Sequence, residues 1–320
     1  MGAILAGKSP ARLGDRRAAS GEMARGPFHD RRPRVQAGVA PRVGRPARDP
    51  LARARTARHD PVVVRRRAAL GMTPRHETSV VKQNLAYYAS ARSAAEYTRE
   101  DGLRPIEQQL IAEFMPPPPA GILDLGCGAG RTTIGLSRAG YTAIAIDLSL
   151  ELLTLARRRY PHLDFRQMDA TELAFPVDTF DAALFSYNGI DCLYPVAARE
   201  QCLVGVCRVL KPGATFIFST HNLVGGICSG GYWYVNGYIN AIRFLAQQRR
   251  NPLLREWYAR YEDSGGEQFL YCAPPGRTVD QLRCAGFSVI AVRGASGQRQ
   301  PGRVRRREQH VYFVARKPLS

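Results

Sequence analysis

The chain has 320 residues, 45% of them apolar, enough for a large core, and 46 Lys+Arg against 27 Asp+Glu give a net charge of +19. No apolar run approaches the roughly 18 residues that cross a bilayer. The seven cysteines are an odd set without C-x-x-C pairs, which suits a reducing compartment better than a disulfide framework or a zinc site. Composition therefore predicts a soluble, cytoplasmic enzyme with no metal and no membrane partner, and it leaves the oligomeric state open.

Residues 1–71 are a separate material, with 17 Lys+Arg against 5 Asp+Glu, a net of +12, whereas residues 72–320 carry 29 against 22. Runs such as Arg31-Arg32-Pro33-Arg34 and Arg65-Arg66-Arg67, set among Gly, Pro and Ala, cannot bury enough surface to order themselves. This stretch is expected to be a disordered Arg-rich extension, and it has three readings. It is an arm for nucleic-acid phosphates, a targeting segment whose amphipathic helix is interrupted by Pro and Gly, or sequence upstream of a start at Met72. Residues 72–320 form the expected catalytic domain. Its entry is helical: Leu85, Tyr87, Tyr88 and Tyr97 recur at helical spacing, then Ile106, Leu110, Ile111 and Phe114 make an apolar face. Pro116 to Pro119 end that helix.

Residues 122–130 read Ile-Leu-Asp-Leu-Gly-Cys-Gly-Ala-Gly, an apolar strand running into alternating glycines. Without a β-carbon, Gly126, Gly128 and Gly130 let the chain turn sharply and approach a ligand. Arg131 onwards begins a helix whose unpaired N–H groups face that ligand. Asp147 closes the next apolar run, about 20 residues beyond the first glycine, where a ribose diol is gripped. The dinucleotide pattern G-x-G-x-x-G would require glycine at 131, where this chain has Arg131, and Asp124 interrupts the apolar strand two residues before Gly126.

The Asp124 to Gly130 segment resembles the first motif of the class I S-adenosylmethionine-dependent methyltransferases, D-x-G-x-G-x-G. Asp169, after Phe165-Arg166-Gln167-Met168, resembles the family's adenine-contacting acid. Asp178-Thr179-Phe180-Asp181 leads into a run similar to the fourth strand, and Lys211-Pro212-Gly213 precedes a run similar to the fifth, Thr215 to Ser219. The resemblance covers roughly residues 85 to 316. It implies S-adenosylmethionine as cofactor, held by Asp124, Gly126, Cys127, Gly128, Gly130, Asp147, Leu148, Asp169, Ala170 and Ser186. Asp124 would serve the methionine end, and Cys127 would be a small packing residue in the loop. The implied fold is an α/β Rossmann-like, seven-stranded, mostly parallel sheet with helices on both faces and an antiparallel closing strand.

Beyond the loop, Ser149 is placed to cap a helix through Arg159, and Thr278-Val279-Asp280-Gln281 has the form of a second helix start. Residues 287–292 and 311–315 read as closing strands, joined by a basic, glycine-rich loop from Arg293 to Arg307. Residues 221–272 are expected to form a helical cap insertion whose aromatic, apolar inner face lies over the cleft, with Tyr232, Trp233, Tyr234, Tyr238, Ile242, Phe244, Trp257, Tyr258 and Tyr261. Methyl transfer is an in-line displacement, so alignment and exclusion of water supply much of the rate. A general base is needed when the acceptor must shed a proton, and His221 is the candidate by residue type. Tyr187 is a second catalytic candidate. Tyr187, Asn188, Asp191, Tyr232 and Trp233 are the expected acceptor pocket. Ser186-Tyr187-Asn188-Gly189 stands where enzymes methylating base amines carry D/N-P-P-Y/F, and no Pro-Cys for cytosine C5 chemistry occurs. The leading expectation is transfer to a small-molecule O, N or C acceptor. The alternatives are a nucleic-acid methyltransferase using the basic arm, an inactive cofactor-binding protein, and a dehydrogenase.

Overall fold

The computed structural model describes residues 74–228, 235–263, 265–299, 302, 304 and 308–319. The extension over 1–71 and the arginines at 303 and 305–307 lie outside them. Three helices lead in, α1 (Pro74–Tyr88), α2 (Ala91–Tyr97) and α3 (Pro105–Phe114), followed by β1 (Gly121–Leu125), α4 (Arg131–Arg138), β2 (Thr142–Asp147), α5 (Leu150–Arg159), β3 (Asp164–Gln167) and β4 (Phe180–Phe185). After a 3₁₀ turn at Gly189–Cys192 come α6 (Val196–Val209), β5 (Leu210–Asn222), α7 (Leu223–Cys228) and α8 (Val235–Arg250). The chain closes with β6 (Tyr258–Asp263), β7 (Gly266–Ala273), α9 (Pro275–Cys284), β8 (Ser288–Gly294) and β9 (His310–Arg316).

The strands form one sheet in the order β3-β2-β1-β4-β5-β7-β6, with β9 pairing both β5 and β8. Pairings along β3-β2-β1-β4-β5 are parallel, while β9 runs antiparallel to β5 and β8. This is the expected Rossmann-like sheet, enlarged by the β6-β7 hairpin. The interval 221–272 is therefore not purely helical: β6 and β7 pair antiparallel from Tyr258↔Tyr271 to Asp263↔Gly266, and β7 joins β5 in parallel at His221↔Cys272.

Strand alternation sorts the core onto two faces. Leu123, Leu125, Ala183, Phe185, Phe216, Phe218 and Phe313 pack with Cys202, Leu203, Val206 and Val209 of α6 and Leu282 of α9. Ile122, Ala182, Leu184, Ile217 and Val314 point the other way, against Ile106, Leu110 and Ile111 of α3 and Leu136 of α4. Each fully buried Val, Leu, Ile or Phe among them contributes about 1.5–3 kcal/mol. Ser149 caps α5 as expected, its Oγ accepting from Leu152 N at 3.3 Å. The helix expected to start at Thr278 instead starts at Pro275, and Thr278 is buried inside it, because proline already supplies the helical φ of a first turn.

Candidate functional site

The carboxyl ends of β1, β2 and β4 meet at the glycine turn, and three adjoining cavities open there. The first is bordered by Gly126, Gly128, Asp147, Leu148, Asp169, Ala170 and Ser186, and closed on the far side by Asn84, Tyr88 and Cys192. The second lies beside Cys127, Arg131, Thr132 and Arg104. The third is bordered by Asn188, Ser219, His221, Gln268, His310 and Tyr312. Tyr97 and Tyr187 border all three.

The glycines divide their work. All three have positive φ, at 59°, 54° and 86°. A β-carbon on Gly126 would lie 2.5 Å from Phe185, and one on Gly130 would lie 2.9 Å from Phe165, so these two positions are glycine because core rings fill the space. Only at Gly128 does the direction of a side chain meet the cavity wall, with Tyr97 at 3.4 Å. The Cys127 side chain turns into the cluster of Ile134, Leu153, Ala156 and Phe165, and burial pushes its thiol well above the usual range.

Asp124 is fully buried. Its Oδ2 accepts from the hydroxyls of Thr132 and Thr133, both at 2.7 Å, in the first turn of α4. Its Oδ1 has no hydrogen-bond partner among the described residues. Burial pushes this carboxyl up to about 6 against the pull of the two hydroxyls and the Arg131 charge. Asp124 lines none of the three cavities and stands behind the glycine turn, where its unsatisfied oxygen has the chemistry to meet a cationic ligand group such as the methionine end of S-adenosylmethionine. Asp147 accepts from Gly128 N and from Ser149 N, both at 2.8 Å, so it also fastens the glycine turn to β2. Asp169 borders the first cavity while its Oδ1 takes Thr171 N and Oγ1, both at 2.8 Å.

Arg131, standing where a dinucleotide-binding chain would carry glycine, grips Glu107 with two bonds of 2.8 Å. Glu107 is fully buried. It also accepts from Arg104 N at 2.8 Å and from the Ser186 hydroxyl. Burial raises its pKa, but Arg131, Ser186 and the Arg104 amide outweigh that and leave it lowered. Glu107 was not legible as a site residue, because its partner stands 24 positions away.

His221 lies one residue before the end of β5 at a fork, paired with Cys272 of β7 on one side and His310 of β9 on the other. Its Nδ1 lies 2.8 Å from Asp191 Oδ2, which also accepts from His221 N at 2.8 Å. Asp191 was expected to line the acceptor pocket. Instead it is fully buried behind His221, its Oδ1 held by Arg199 Nη1 at 2.8 Å and Thr220 Oγ1 at 2.6 Å. The cause is the buried Arg199 on α6, which needs a counterion. Asp191 as hydrogen-bond acceptor sets the tautomer with the proton on Nδ1 and leaves Nε2 as the basic nitrogen. The His310 ring stands 4.9 Å from that of His221. Burial and the neighbouring His221 lower its pKa to about 4, so it is neutral near pH 7.

Tyr187 and Asn188 follow β4 in consecutive left-handed conformations, φ 53° and 58°. The Tyr187 ring lies under the Arg104 guanidinium at 4.4 Å and edge-on to Tyr97 at 5.6 Å. Asn188 N donates to Ser219 Oγ at 2.8 Å, and Asn188 Oδ1 is buried with no partner among the described residues. The expected Tyr232 and Trp233, with Tyr234, lie outside the described residues; of Tyr238 in α8, only the backbone is described. Of the other cap aromatics, Tyr258 is core, its hydroxyl donating to Leu193 O at 2.6 Å, whereas Tyr261 stacks on His221 at 5.9 Å. Asn84 of α1 fastens the lead-in helix over the first cavity, exchanging two bonds of 2.9 and 2.8 Å with the Phe269 backbone.

A family model described as a methyltransferase domain matches residues 122–213. A demethylmenaquinone methyltransferase of Streptomyces avermitilis is 34% identical over 187 residues, 56% of this chain and 73% of that protein. A protein of the same name from Paenarthrobacter aurescens is 36% identical over 98 residues, 31% of this chain. The match spans only 37% of the length of that relative and 39% of one from Renibacterium salmoninarum. A crystal structure of an S-adenosylmethionine-dependent methyltransferase from Methanosarcina mazei shares the fold, with a TM-score of 0.53 and 21% identity over 68% of this chain and all of that one. The strand order, the glycine turn with its acids, and a relative matched over most of its length agree: the chain belongs to the class I S-adenosylmethionine-dependent methyltransferases.

Proposed function

We propose that the protein transfers a methyl group from S-adenosylmethionine to a hydroxylated aromatic or enolic small molecule, with His221 as the general base. The observation that carries this reading is the His221–Asp191 pair of 2.8 Å at the edge of an aromatic-walled cavity. S-adenosylmethionine supplies an electrophilic methyl carried on a sulfonium. Asp124 would hold the cationic methionine end, Asp147 the ribose hydroxyls and Asp169 the adenine amine, with Gly126, Gly128, Leu148, Ala170 and Ser186 shaping the wall and Gly130 letting the turn close over the core.

The acceptor enters the third cavity, between Tyr187, His310 and Tyr312. Its hydroxyl gives a proton to His221 Nε2, and the imidazolium so formed is stabilised by the buried Asp191 carboxylate. Asn188 Oδ1 accepts a second donor from the acceptor, which satisfies a buried oxygen otherwise left unpaired. Tyr97 and Tyr187 exclude water between the cavities and present ring faces that favour a nearby cation. Relatives named for a quinone acceptor support an aromatic ring as the substrate class.

The test is labelled-methyl transfer to a panel of hydroquinones and naphthols, their methyl ethers, and RNA. Transfer to the free hydroxyl compounds should fall about 10²- to 10⁴-fold in His221→Gln, with cofactor affinity unchanged by calorimetry. Label appearing on RNA, or full activity in His221→Gln, would replace this reading.

A further inference from the structure

Helix α8 carries an apolar stripe that no part of the described domain covers. Ile239, Ile242 and Leu245 recur every third residue, exposed by 37%, 66% and 53%, so Ile242, expected on the inner face of the cap, points outward instead because Phe244 and Gln248 occupy the packed side. The three exposed apolar residues fall on one side of the helix. The exposed Arg249 falls within that stripe, the exposed Arg250 and Arg243 flank it, and the sixteen residues of α8 contain no Asp or Glu. The opposite side is already in use: Phe244 stacks on Trp257 at 6.4 Å, and Gln248 bonds Tyr258 O at 2.6 Å and Trp257 N at 3.0 Å. Other exposed large apolar residues, such as Val177, Val204, Ile290 and Leu319, stand singly on separate segments, which is ordinary for a protein surface.

Apolar side chains interleaved with arginines, without a single acid, complement a surface that is negative outside and apolar beneath. We propose that α8 docks on an anionic lipid bilayer, with Ile239, Ile242 and Leu245 entering the acyl boundary and the three arginines meeting lipid phosphates. No helix among the described residues is long and apolar enough to cross a membrane, so the contact is peripheral. On its packed side α8 is tied to Trp257 and Tyr258, and three residues further Tyr261 stacks on His221. The surface goes beyond the acceptor reading and stands or falls separately from it.

The experiment is co-sedimentation of the full chain with vesicles of phosphatidylcholine alone and of phosphatidylcholine with phosphatidylglycerol. Binding is expected only to the anionic vesicles and should weaken with added salt. Ile242→Asp with Leu245→Asp, and separately Arg249→Glu with Arg250→Glu, should each weaken it by about tenfold or more, since each pair removes one of the two attractions. Unchanged cofactor affinity shows that the variants are folded. Three results overturn the proposal. The wild type fails to bind; the Ile242/Leu245 variant binds as well as wild type, which assigns binding to the basic extension; or that variant turns a vesicle-free dimer into a monomer, which assigns the stripe to a second copy.

Discussion

Asp124→Asn separates folding from binding. The carboxyl is fully buried and its pKa is pushed to about 6 from the ordinary 3.8. That difference corresponds to roughly 3 kcal/mol of cost for keeping the ionised form inside the ligand-free protein. The sign follows directly. The folded state holds the proton more tightly than the unfolded chain, so the favourable contribution is complete below pH 3.8 and is lost as pH rises through about 6. The amide removes the charge, keeps an oxygen for the hydroxyls of Thr132 and Thr133, and leaves an unpaired N–H₂ that takes back part of the gain. A net stabilisation of about 1–2 kcal/mol at pH 7.5 remains, a rise in Tm of roughly 2–8 °C for a domain of this size. S-adenosylmethionine affinity should meanwhile fall about 10- to 100-fold, because a charge-assisted contact is lost. Thermal unfolding by circular dichroism at pH 7.5 and 4.5, with calorimetry of cofactor binding, checks both. A variant less stable than wild type at pH 7.5, or a gap that does not close at pH 4.5, would refute the reasoning.

Glu107→Gln leaves the Arg131 guanidinium without its buried counterion and should destabilise by about 3 kcal/mol or more. Because the Glu107 pKa is lowered from 4.5, its contribution is present above 4.5 and lost as pH falls through the lower folded value, so denaturant titrations should show the wild-type margin shrinking in acid. Gly126→Ala forces a β-carbon within 2.5 Å of Phe185 at a φ of 59°. A loss of about 2–4 kcal/mol is expected from overpacking and backbone strain together, and chemical denaturation would measure it. Arg199→Met strands the Asp191 carboxylate in the core and should cost about 3–5 kcal/mol. It should also lower the transfer rate without changing cofactor affinity, and an active, stable variant would mean that Asp191 does not depend on this partner.

The sequence by itself determined the parallel half of the sheet and its glycine turn, because those features are local. Strand alternation, glycines at positions of positive φ, and acids at or just beyond the ends of successive strands are each written in a few consecutive residues between Asp124 and Asp169. The closing strands and the cap at Ser149 were legible for the same reason. What only the tertiary structure decided are partnerships between residues on different elements. The grip of Arg131 on Glu107, the burial of Asp191 behind His221 by Arg199, and the seat of His221 between β7 and β9 join residues 24, 8 and 89 positions apart. Asp191, read as a pocket wall, became a buried support because a guanidinium brought in by α6 required a counterion, and no local pattern records that demand. The β6-β7 hairpin was missed likewise: aromatic spacing in 221–272 suits a helix face or a strand pair equally, and the open edge of β5 decided between them.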